Sequence, residues 1–220
     1  MRKLLRTGGW LMVLLTGLRA PLLAQRTVSD ARITYTIEMP PEQLQMEAML
    51  AGSHMVQYIR GDRSRIDMTF NVVNYIYLIN AREQSVITLM DIHGDKYLIR
   101  SDRKAYKAEM KKYEATQFTD QEEVREIAGY KCRKAIGKME DGTTFEVFYT
   151  IDLVPENRGY NSRFVNLKGI PLEYEIVMRA GSKMRAVATK VDLSPVPASV
   201  FDVPGGYKEI TAEELKKIRG

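Results

Sequence analysis

The chain of 220 residues contains one cysteine, two histidines and one tryptophan. A single cysteine, Cys132, excludes an intramolecular disulfide and any cysteine metal cluster, so stability must come from the core. His54 and His93 leave a histidine-based catalytic triad few possible members, and no nucleophile motif accompanies them. The chain therefore reads as non-enzymatic, with no catalytic residue, metal or cofactor assigned. No apolar run reaches the ~20 residues that a membrane-crossing helix requires. A Pro/Gly/Ser-rich linker is also missing, which leaves one domain over residues 25–220.

What the N-terminus does contain is the pattern of a secretory signal peptide over residues 1–24. Arg2, Lys3 and Arg6 form a positive start, Trp10 to Leu18 an apolar stretch, and Ala24 a small residue before the cut. Leu22, at the third position before that cut, is larger than the preferred small residue. No cysteine stands near the cleavage region, so a lipid-anchored lipoprotein is not expected. The mature protein reads as soluble, periplasmic or secreted.

Charge follows the same boundary. The net charge is +5, but residues 1–24 hold four of the 33 Lys/Arg and none of the 28 Asp/Glu. The mature chain is thus near neutral. Nucleic acid drops out as a partner, because tracking phosphates takes clustered, uncompensated Lys/Arg. Cys132 is expected to be buried, since an exposed thiol in an oxidising compartment would pair between molecules.

Ile33, Tyr35, Ile37 and Met39 alternate with polar residues, as in a strand with one buried face. Pro40-Pro41, strong helix formers over 42–51 and Gly52 predict a short helix. Strands punctuated by turns follow at 53–60, 64–70, 72–79, 85–92 and 96–100, then at 130–138, 144–151, 172–179 and 183–193. Val72 to Ile79 and Val86 to Ile92 are apolar at nearly every position, which implies a sheet covered on both faces. Thr211 and Glu214 form a capping box opening a last helix over 212–219. The fold class is α+β: a curved, mostly antiparallel sheet of nine or ten strands with two or three short helices.

Read in order, Pro41-Glu42, Tyr58 through Arg65, Thr88-Leu89-Met90-Asp91, Ile127 through Cys132, Phe148-Tyr149-Thr150 and Lys168 through Tyr174 resemble a bacterial envelope family known as domain of unknown function 4412. That family is similar in architecture to the outer-membrane lipoprotein carriers. The resemblance implies a half-open β-barrel that grips acyl chains against helices.

Several shorter features have plain structural readings. Arg60-Gly61-Asp62 matches an adhesion tripeptide, but Gly-Asp between strands is a hairpin turn. Asp91, His93 and Asp95 could surround a metal, although Gly94 marks a tight connection there. Charged runs such as Glu122-Glu123 and Arg125-Glu126 read as solvated turns and faces. Ten methionines in the mature chain are more suggestive, being unbranched and polarizable; they serve either a core or a ligand cavity. Cavity candidates are Met46, Met49, Met68, Tyr75, Tyr77, Met90, Phe148 and Met178. The expected function is binding or carriage of a lipid or acylated peptide. The alternative is an envelope structural protein with a filled core that acts through a protein partner.

Overall fold

A computed structural model describes residues 25–39, 50, 52–70, 73–178 and 182–218. The expected signal peptide and most of the expected 42–51 helix, with Met46 and Met49, lie outside the described residues.

Fourteen strands dominate the described residues. They are β1 Arg26–Val28, β2 Asp30–Glu38, β3 His54–Arg60, β4 Arg63–Phe70, β5 Val73–Asn80, β6 Ser85–Ile92, β7 Asp95–Ser101, β8 Gln117–Ile127, β9 Tyr130–Lys138, β10 Thr144–Thr150, β11 Leu153–Pro155, β12 Ile170–Val177, β13 Lys183–Asp192 and β14 Lys208–Glu209. Helix α1 spans Arg103–Glu114 and helix α2 Ala212–Ile218. Twelve strands form one curved sheet in the order β14-β7-β6-β5-β4-β3-β2-β13-β12-β10-β9-β8, while β1 pairs with β11. All its ladders are antiparallel except β14 on β7, and the sheet does not close into a barrel.

The strands expected from alternation are present to within one or two residues. The charged run Glu122-Glu123 and Arg125-Glu126 is a solvated face rather than a turn: it lies on edge strand β8, with Arg125 bonded to both Glu123 and Glu173. Helix α1 and the short strands β1, β11 and β14 are further elements that the residue pattern does not assign. Asp102 caps α1, its carboxylate accepting the Ala105 amide hydrogen at 2.7 Å. The expected capping box is formed at α2, where Thr211 and Glu214 exchange hydrogen bonds through side chains and amides.

The turns take their chemistry from local residues. His93 and Gly94 both hold positive φ, 54° and 94°, the mirror-image turn that matches strand twist. Asp91 accepts the Gly94 amide hydrogen at 2.9 Å, and no metal-capable cluster occurs here or elsewhere among the described residues. Arg60-Gly61-Asp62 is the β3–β4 turn, and its side chains are engaged internally. Arg60 donates to the Val196 carbonyl, and Asp62 accepts from Asn157 at 2.7 Å.

Both faces of the β3–β7 region are covered. On the outer face Leu78, Leu89 and Leu98 form a small apolar cluster with Tyr207 packed against it. The C-terminal segment crosses this face as a strap: Arg65 donates to the Val200 carbonyl at 2.8 Å, Val196 N–H to Asp30, and Ile210 N–H to Leu98. The larger core lies around β2, β9, β10, β12 and β13. It contains a run of edge-to-face rings in which Tyr174 meets Tyr35 at 5.8 Å and Phe164 at 4.8 Å, with Phe145 and Phe118 beyond. Gly137 belongs to this packing, because a Cβ there would run into the Phe145 ring. Gly169 is tighter still, its backbone pressed against the Thr150 carbonyl.

Candidate functional site

The inner face of β3–β6 carries Met55, Ile66, Met68, Tyr77, Ile79, Val86 and Thr88. They lie on one side because successive partners sit directly across the ladders: Met55 faces Met68, Ile66 faces Tyr77, and Tyr77 faces Thr88. Helix α1 stands over this surface. Its Tyr106, Met110 and Tyr113 recur at the spacing of one helical face, and Tyr106 is the residue buried on it. A third wall comes from the 3₁₀ turn at Ser162–Phe164, packed against α1.

These elements border a half-open cavity of about 560 Å³. Its lining divides by chemistry. The strand wall, with Ile176 of β12, is mostly aliphatic and thioether with Tyr77 and Thr88 among them, whereas Glu109 and Tyr113 of α1 and Asn161, Ser162 and Arg163 of the turn bring polar groups to one side. Glu109 is paired with Lys112 at 3.0 Å. Tyr174 and Phe164 join the lining to the aromatic core.

Two polar side chains sit on the same strand face as the apolar wall. Gln57 lies across from Ile66 and Ser64 across from Ile79, and both are buried. Gln57 Nε2 and Ser64 Oγ have no hydrogen-bond partner among the described residues, nor has the Tyr160 hydroxyl beside Asn161. Buried polar groups seldom stand alone, so this region has hydrogen-bonding capacity that its own side chains do not use.

Ionisation is suppressed throughout the adjoining core. Burial pushes the Tyr174 phenol up to about 12, and the charge of Arg163 opposes that rise. Burial raises Tyr160 further, with Tyr174 adding to it. The Cys132 thiol is fully buried and pushed up to about 12 by desolvation, then by Asp152 and Glu173. A thiol held in its protonated form is a weak nucleophile.

Of the expected cavity residues, Met68 and Tyr77 line the space. Tyr75 stacks on Tyr77, ring centroids 6.3 Å apart, and Met90 is the cross-strand partner of Tyr75 on that same face. Phe148 is elsewhere: it is buried beneath the Arg125 guanidinium, 4.1 Å above its ring, with Lys134 at 5.7 Å. Met178 follows the end of β12 and is 40% exposed. Residues not anticipated are the α1 wall and the 161–164 turn. The spacing of residues 106, 110 and 113 carried a signal for the helix, whereas the irregular turn carried none.

No protein-family model matches the chain, and no curated protein matches it. The solved structure of PNGF-II is similar at a TM-score of 0.50 and 16% identity, over 86% of this chain and 32% of that one, so this chain spans about a third of its length. An uncharacterized conserved protein from Thermus thermophilus aligns over 83% of this chain and 91% of its own, with TM-score 0.47 and 9% identity. MucB aligns over 80% and 58%, with TM-score 0.33 and 11% identity. What the PNGF-II likeness establishes for this chain is a shared β-rich fold.

Proposed function

We propose that this is an exported, non-enzymatic binding or carrier protein of the bacterial envelope, holding the apolar part of a lipid or acylated peptide between its sheet and α1. The observation that carries this reading is the cavity of about 560 Å³, which lies within the range of roughly 300–1,000 Å³ typical of small-molecule sites. Its wall of methionine, isoleucine and tyrosine suits an irregular apolar guest. The buried, protonated Cys132 supports a structural role for the Gly129–Cys132 stretch rather than a catalytic one. Among the described residues no helix is long and apolar enough to cross a membrane. Export rests on the residue pattern of 1–24, and membership of the domain of unknown function 4412 family on the ordered segments quoted above.

Native mass spectrometry after gentle purification tests the reading, together with thermal unfolding in acyl ligands. The expected result is a co-purifying small mass and a raised Tm, since a ligand at 100 times its Kd stabilises the folded state by about 2.7 kcal/mol. Ala105→Trp, which enlarges a residue of α1 that lines the space, should weaken both effects while the fold persists. A protein that carries nothing and gains no stability would turn attention to its surface and to a protein neighbour found by cross-linking.

A further inference from the structure

Arg163 is the cation among the cavity-lining residues. It is partly buried, and its backbone is fixed by the Asn161 side chain, which accepts the Arg163 amide hydrogen at 3.2 Å. Its guanidinium makes no ion pair or hydrogen bond among the described residues. The neighbouring charges behave differently. Glu109, also in the lining, is matched by Lys112, and the arginines of the outer face, Arg125 and Arg185, share Glu173. A guanidinium drawn partly out of water without a counter-ion is costly, and it offers planar, paired donors suited to a carboxylate or phosphate. Arg163 lines the cavity together with Phe164 and Tyr174, whose rings meet at 4.8 Å, so it stands at the aromatic end.

Building on the carrier reading, we propose that the cavity selects a single-chain anionic amphiphile, its chain along the β3–β6 wall and its acidic head on the Arg163 guanidinium. The apolar wall gives affinity without discriminating one alkyl chain from another. Arg163 supplies the discrimination, because the head that completes an ion pair in a semi-enclosed site is favoured over a neutral or cationic head on the same chain. A space this size holds one drug-sized guest.

The test compares dodecanoate, dodecyl phosphate and dodecyltrimethylammonium, all below their micellar concentrations, by calorimetric titration and thermal shift on the full chain. Both anions should bind at least about tenfold tighter than the cation, as charge-assisted hydrogen bonds predict. Arg163→Gln should bring the three within about threefold, and Arg163→Lys should restore part of the preference. A ratio near one in the unaltered protein overturns the inference, and that comparison stands even if Arg163→Gln fails to fold. An unchanged ratio in a folded Arg163→Gln protein also overturns it, while leaving the carrier reading intact. If none of the three binds, both fall.

Discussion

Strands β3–β7 and strands β8–β10, β12 and β13 meet through β2 in one sheet, yet their two faces are used in opposite ways. In the first group the outer face is apolar and strapped by the C-terminal segment, while the inner face borders a cavity. In the second group the inner side is filled with aromatic rings, and the outer side is a lattice of charges. There Glu173 is shared by Arg125 and Arg185, Lys134 lies between Glu123 and Glu146, and Lys183 pairs with Glu175. A sheet needs one well-packed face to hold its register. The strap gives β3–β7 that face from outside, which leaves the inside free to stay hollow.

The contrast can be broken first where packing is tightest. Gly169→Ala should destabilise the fold by about 3 kcal/mol or more, since a Cβ there would collide with the Thr150 carbonyl and backbone would have to move. Denaturant unfolding measures this, and a near-neutral result would mean that the core around Thr150 yields. Leu89, fully buried beneath the strap, comes next. Leu89→Ala should cost about 3 kcal/mol, the middle of the range for a buried leucine. Met68→Ala, on the cavity side of the same sheet, should cost about 1 kcal/mol or less, because a residue facing open space has less packing to lose. Equal losses at Leu89 and Met68 would mean that the two faces are equally filled.

Much of this plan was legible in the residues. Alternation located β2 through β7, and the continuous apolar runs of β5 and β6 announced that both faces were covered. Strand β8 was not legible, because an exposed edge strand has no buried face to impose alternation and its Glu and Arg residues look like any solvated segment. Helix α1 is carried by only three inward residues among five lysines and arginines, so charge masks its apolar stripe. The cavity's polar wall depends on a 3₁₀ turn whose position is set by tertiary packing, beyond reach of local pattern. Met68 and Tyr77 border the cavity from regular strands, where alternation fixes the face they occupy. Phe148 lies under Arg125 instead, because an aromatic residue in a strand does not reveal whether it packs on a cavity or under an arginine.

The central position of β2 has a kinetic consequence. Strands β3–β7 follow one another as hairpins and can assemble from nearby chain, but β2 has one neighbour at hand, β3, and another, β13, far along the sequence, with Ile37 against Ala186. Until β13 is made and docked, the Ile33, Tyr35 and Ile37 flank is an unpaired edge of apolar side chains. Such edges fold late and invite association. The vulnerable moment in this protein's life is therefore the interval during synthesis when its first long strand waits for one of its last.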